Sequence, residues 1–338
     1  MAERVKALRA LMATLKIDAV LVPRADEHQG EYVAACAERL KWLTGFSGSA
    51  GLAIIAKKAA ALFIDGRYTV QAKAETDKTV LDVSLLPRAK IPEWISEKLN
   101  KGQTLGFDPW LHTGAEIARL TAALETKGIA LKPLAKNPVD QIWGKARPGT
   151  PTGAITVQPL ALAGKSAADK ISAVQKRLKD DGQHACVLTL PDSICWLFNI
   201  RGTDVAHNPV ALAFAIVPVS GKPEIFISAD KFKGEARKHL SEVAKVSGPD
   251  AFIEKLTSLK QALKSVRVDH NTAAFAIEKA LGPKVTVHGA DPCIAPKAIK
   301  NSSEIAGCRA AHVRDGAAVV SFLSWLDRKS TRLNSSHG

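Results

Sequence analysis

This chain lacks any run of about eighteen apolar residues, the length needed to cross a bilayer as a helix. Its charged start, Met1-Ala2-Glu3-Arg4, leads straight into an amphipathic stretch and not into the apolar core of a signal peptide. A cytoplasmic location and no membrane partner are therefore expected. Cysteine is sparse: Cys36, Cys186, Cys195, Cys293 and Cys308 are odd in number, scattered, and without a C-x-x-C pair. That pattern argues against a disulfide framework or a zinc ribbon and predicts reduced, buried thiols. The nine histidines include no H-E-x-x-H and no close pair on one helix face, so no metal ligand set is visible within the chain.

Nucleotide motifs are missing as well. Gly164-Lys165-Ser166 imitates the end of a P-loop, but Pro159 stands where the first glycine belongs. Gly45, Gly48 and Gly51 are spaced G-x-x-G-x-x-G and precede a strand, whereas a dinucleotide fingerprint is G-x-G-x-x-G and opens a helix. Positive charge is plentiful, with a formal net charge of +14. Setting aside the three cations Arg328, Lys329 and Arg332 near the chain end leaves +11. The rest are dispersed, as in Lys231, Lys233 and Lys238 with Glu235 and Glu242 among them, which reads as a solvated face; no nucleic-acid partner is expected.

What is present is globular. At 338 residues, 46% hydrophobic and 24% charged, the chain suits two domains, each able to bury a core. Val5, Leu8, Leu11, Met12 and Leu15 share one helical face, and Ala19-Val20-Leu21-Val22 reads as a buried strand closed by Pro23. Leu52–Ile55 and Ala61–Ile64 form a hairpin around Lys57-Lys58. Alternating segments follow: helix 92–99, strand 104–107, helix 113–127 and strand 130–133. The class is α/β, a mixed sheet flanked by helices. Gly144 to Pro159 is dense in Pro and Gly and marks the domain boundary.

The pattern then restarts. Helix 167–178, strand 185–188, strands 210–217 and 224–227, helix 251–263, strand 265–268, helix 272–281 and strand 285–288 are expected. Trp42-Leu43 with Gly48 and Trp196-Leu197 with Gly202 share one spacing, W-L-x-x-x-x-G, each after a helix and a strand. Two related domains in tandem are suggested.

Three separated blocks carry a family resemblance: W-L-T-G-F-S-G-S-A-G (42–51) with D-G-R-Y (65–68), W-L-F-N-I-R-G-T-D-V-A-H-N-P-V (196–210), and K-A-I-K-N-S-S-E-I-A-G-C-R-A-A-H-V-R-D-G (297–316). In this order they resemble the three-domain cytosolic Xaa-Pro aminopeptidases, metallopeptidases of the M24 class, over residues 1–326. The resemblance implies two creatinase-like N-terminal domains, here 1–145 and 146–298, followed by the opening helix, 299–326, of an α+β pita-bread domain. It implies short peptides with Pro at the second position as substrates, a homodimer when complete, and two divalent ions, manganese or zinc, held by two Asp, one His and two Glu. Those ligands are expected beyond residue 326, so no catalytic residue and no bound metal are expected in this chain. A non-catalytic, protein-binding member of the same architecture is the alternative.

Substrate-proximal candidates are Phe46, Arg67, Tyr68 and His207. Asp65-Gly66-Arg67-Tyr68 reads either as a turn with a capping carboxylate or, as in creatinase relatives, as a region reaching a neighbouring subunit's site. His207-Asn208-Pro209 reads either as a structural turn or as a substrate contact. Residues 303–326 form an amphipathic helix with Ile305, Cys308, His312, Val319, Phe322 and Leu323 on its apolar side, capped at Asn301 or Ser302. Asp327 to Gly338 breaks that pattern and is expected to be a foreign, adapter-like tail.

Overall fold

The computed structural model describes residues 1–85 and 90–334. In the first half, β1 (Ala19–Pro23), β2 (Gly51–Ala56), β3 (Ala60–Ile64), β4 (Asp82–Leu85), β5 (Thr104–Phe107) and β6 (Ala130–Pro133) form one sheet, ordered β4-β3-β2-β1-β5-β6. β1 is central because its apolar run is covered on both faces, as the burial of Ala19 to Val22 shows. It pairs antiparallel with β2 and parallel with β5. One face is covered by the helix Ala2–Leu15 through Val5, Leu8 and Met12, the other by Ile95, Leu99, Ile117 and Leu124. Each such buried aliphatic side chain contributes about 1.5–3 kcal/mol.

The second half holds β7 (Thr156–Val157), β8 (Ala185–Leu188), β9 (Ile200–Arg201), β10 (Phe214–Pro218), β11 (Glu224–Phe226), β12 (Lys245–Ser247), β13 (Val266–Val268) and β14 (Thr286–His288). β7 and β9 make a short antiparallel ribbon. The others form a second six-stranded sheet, ordered β12-β11-β10-β8-β13-β14. Strand by strand it repeats the first: the central strand is antiparallel to the next and parallel to the fifth, and both edges are parallel. The tandem repeat suggested by the W-L-x-x-x-x-G spacing is thus a repeat of topology. Both Trp-Leu pairs lie in the short helix following the central strand, Arg39–Thr44 and Pro191–Leu197.

Several elements differ from expectation. The strand expected over 210–217 starts only at Phe214. Before it, the Ala211 N–H donates to Cys195 Sγ at 3.3 Å and the Leu212 N–H to Asp204 Oδ2 at 2.7 Å, so side chains satisfy this backbone instead of a ladder. The helix expected from residue 272 starts at Phe275, whose N–H donates to the His112 carbonyl at 2.8 Å; the next, of Ala276, donates to that of Pro109 at 2.9 Å. The first unit therefore takes the amides that open this helix. Four cysteines are buried as expected, but Cys308 is exposed. Helix Ser302–Asn334 runs past Leu326, where the apolar pattern stops, and residues 335–338 of the expected tail lie outside those described. It leaves Val313, Val319, Phe322 and Trp325 exposed, so its apolar side covers no core.

The two sheets meet through a dense junction. His28 Nδ1 donates to the Thr189 carbonyl at 3.1 Å, and its ring stacks on Phe214 with centroids 4.4 Å apart. Phe107 packs on Phe275 at 5.8 Å and Trp110 on Phe214 at 5.8 Å. The Ala115 N–H donates to the His270 carbonyl at 3.0 Å.

Candidate functional site at the junction of the two units

β1 and β5 are parallel neighbours, and the chain beyond their carboxyl ends diverges, leaving the crevice that such sheets offer to ligands. A cavity of about 810 Å³ opens there, lined among others by Pro23, Arg24, Glu31, Ser49 and His112, with Asn271 contributed by the second unit. That volume suits a small ligand.

Two buried polar atoms in its wall have no partner. Arg24 Nη1 donates to the Glu31 carbonyl at 2.7 Å and Nη2 faces Glu38 at 3.7 Å, while Nε is unpaired. His112 Nδ1 lies 3.7 Å from Glu116 Oε2, and its Nε2 is unpaired. Each such atom costs about 1–3 kcal/mol when buried without a partner, which a ligand's carbonyl or carboxylate oxygen would offset at Arg24. Behind the wall, burial pushes the Asp26 carboxyl up, against the pull of His28 and the Gly30 amide.

The loop Gly45–Gly51 reaches the cavity through Ser49, Ala50 and Gly51. Gly45 ends the helix Arg39–Thr44 at φ 82°, in the left-handed region open to glycine. A Cβ on Gly48 would lie 2.2 Å from Phe46 Cζ, so glycine is needed where the loop folds over that ring. Phe46 is 1% exposed and belongs to the core, meeting Tyr68 edge-on at 5.6 Å. The Tyr68 hydroxyl bonds Ser49 Oγ at 2.6 Å, and this bond draws the phenol below its usual range. Ser49 also lines the cavity, which ties Tyr68 to its edge. Arg67 is exposed, its guanidinium 5.3 Å over the Tyr68 ring. Asp65 Oδ1 accepts from both the Arg67 N–H and Nε at 2.9 Å, so the carboxylate caps the turn Gly66–Tyr68 and pairs with Arg67 together.

Of the four sequence candidates, Phe46, Arg67 and Tyr68 form one contact chain. His207 stands elsewhere, exposed at φ 61° in the turn between β9 and β10, and joins none of these contacts. Its turn is anchored by Asp204, which accepts from Gly153 N–H at 3.1 Å, Leu212 N–H at 2.7 Å and Lys231 Nζ at 2.6 Å. Arg24, His112 and Asn271 carried no motif, and only the fold brings them to one cavity.

The fold also assembles side chains the sequence kept apart. His270 Nδ1 lies 2.8 Å from Glu278 Oε1, and His288 Nε2 lies 3.6 Å from Glu278 Oε2. With one carboxylate and two imidazoles, this trio does not fit a dinuclear centre of two Asp, one His and two Glu, and it is the one potential metal-holding group among the described residues.

Comparison with known proteins agrees with the architecture. Two family models, both described as creatinase/prolidase N-terminal domain, match residues 4–140 and 146–304. A probable Xaa-Pro aminopeptidase P of Aspergillus niger is 37% identical over 97% of this chain, and one of Paracoccidioides lutzii is 37% identical over 98%. The chain spans 55% and 57% of the length of these two relatives. The X-prolyl aminopeptidase of Caenorhabditis elegans, described as a cytosolic enzyme with a di-nuclear active site, superposes with a TM-score of 0.90 at 29% identity, over 96% of this chain and 56% of its own. Among the described residues no helix is long and apolar enough to cross a membrane. With both sheets alike in topology and each matched by a model of the same description, the chain belongs to the creatinase/prolidase N-terminal domain family and carries two such domains in tandem.

Proposed function

We propose that this chain is the two-domain entry portion of a cytoplasmic, metal-dependent Xaa-Pro aminopeptidase that removes the residue preceding proline from short peptides and works as a homodimer. The observation that carries this reading is the superposition of nearly the whole chain on a di-nuclear X-prolyl aminopeptidase, with both sheets in one arrangement. The reading takes domain limits of 1–145 and 146–298, with the exposed helix beyond Ser302 leading into the metallopeptidase fold.

In this role the two units restrict access, which confines a peptidase to short chains. The cavity at the ends of β1 and β5, with Ser49 in its lining and Tyr68 and Arg67 joined to Ser49 beside it, supplies hydrogen-bond donors and an aromatic face toward the peptide, with Phe46 bracing Tyr68; His207 lies apart from this group. In this reading the ligands of the two ions lie outside this chain, which binds peptide without cleaving it.

The test is a peptide with proline second, added to the chain in the presence of manganese. No hydrolysis is expected, and amide NMR shifts should change at Ser49 and Tyr68, less so in Arg67→Ala. Shifts confined to other surfaces, or turnover by the chain itself, would sink the reading.

A further inference from the structure

We propose that His270, Glu278 and His288 form a binding site for one divalent ion of the zinc class, at the seam between the two units. The topology builds the site. β13 and β14 lie side by side in parallel with Val268 opposite His288, so His270, two residues past the end of β13, falls beside His288. The crossover helix Phe275–Leu281 joins these strands and presents Glu278 in its first turn.

The ligand atoms are already gathered, all within 4.8 Å of one another, with pairs at 2.8 Å and 3.6 Å. Donors about 2.0–2.2 Å from a tetrahedral ion stand roughly 3.3–3.5 Å apart, a spacing that the two pairs bracket. The imidazole rings stack with centroids 4.1 Å apart and 19° between planes, so a shared ion requires one ring to turn. His288 is the ring free to do so, with its side chain 53% exposed, whereas that of His270 is 26% exposed.

The inner side of the trio is closed by the first unit. A Cβ on Gly114 would lie 2.4–2.5 Å from both Glu278 oxygens and from His270 Nδ1, so the glycine backbone rests against them. Gly114 opens the helix Gly114–Glu125, whose amino end favours the ionised carboxylate that a metal ion needs. An ion must enter from the His288 side and keeps a position open to solvent. Two imidazoles and a carboxylate suit zinc or its d-block neighbours and are a poor set for calcium or magnesium, which take mainly oxygen ligands. Tightening Glu278 and His270 against Gly114 couples the ion to the packing of the two units.

The test uses the full 338-residue chain. Because Cys308 Sγ lies 3.5 Å from His312 Nδ1 on the exposed helix and offers a competing pair, Cys308→Ser is the background for every measurement. After dialysis against about 10 µM zinc, one ion per chain is expected, cobalt should give the visible absorption of a four-coordinate site, and the melting temperature should rise with zinc concentration. His288→Ala, at an exposed strand end, should keep the zinc-free melting temperature while affinity falls by at least about tenfold. Gly114→Ala should weaken binding without removing a ligand. No bound zinc under these conditions, or undiminished binding by His288→Ala, overturns the proposal. The readout is metal content, so its failure is distinct from failure of the peptidase reading.

Discussion

Asp204 shows what one buried charge does for this chain. Its side chain is fully covered and that of Lys231 is 6% exposed, so the pair has left water and is compensated only by its own contacts. Asp204→Ala strands Lys231 and frees two amides, and should cost about 3–5 kcal/mol in urea unfolding, typical of breaking a buried pair from one side. Glu224 fixes an acid limb. Burial pushes its carboxyl up, but the hydrogen bond from Ser247 and those from Lys245 and Lys255 outweigh it, so it titrates below the usual range. A carboxylate depressed in the folded state adds stability above its unfolded value of about 4.3 and loses it as pH falls through the folded value. Glu224→Gln should therefore differ from the parent in unfolding free energy at pH 6 and converge with it near pH 2.

The helix Gly114–Glu125 begins with a capping box: Thr113 Oγ1 accepts from the Glu116 N–H at 3.2 Å, and Glu116 Oε2 accepts from the Thr113 N–H at 3.3 Å. Thr113→Ala should cost about 1 kcal/mol by chemical unfolding. The long helix Ser302–Asn334 behaves differently along its length. Its start is tied down, since Asn301 Nδ2 donates to the Ala163 carbonyl at 2.8 Å and Asn301 Oδ1 accepts from the Glu304 N–H at 3.0 Å. From Val313 to Leu326 its large apolar side chains face solvent, and exposed patches of that kind favour association. Ending the chain after Gly307 should raise solubility and change stability by less than about 0.5 kcal/mol, as for changes outside any packed core. A large drop in melting temperature would show that the helix belongs to the second core.

At the scale of the molecule, the junction decides whether two similar sheets unfold together. Phe214 is its hub, stacked on His28 and on Phe252, both at 4.4 Å, and touching Trp110. Phe214→Ala should cost about 3–5 kcal/mol and split one calorimetric transition into two, since it removes packing on both sides of the seam. A single transition of unchanged width would mean that the backbone bonds accepted by the His112, Pro109 and His270 carbonyls suffice to couple the units.

By itself the sequence determined the elements and their duplication. Apolar runs such as Ala19–Val22 and Ala185–Leu188 have the length and continuity of buried strands, and the W-L-x-x-x-x-G spacing marks the same helix in each copy, because local periodicity is a local property. Phe46 and Tyr68 were legible as a block for the same reason, being held by one loop and the turn after one hairpin. The tertiary structure alone decided the rest. The strand at Phe214 starts late because Asp204 and Cys195 take the preceding amides, and the helix at Phe275 opens where carbonyls of the first unit accept its first two amides. Arg24, His112 and Asn271 share a cavity, and His270, Glu278 and His288 meet, only because parallel strands and crossover helices carry residues far apart in the chain to one end of a sheet. No spacing rule encodes such meetings, since they depend on how sheets twist and how two units dock.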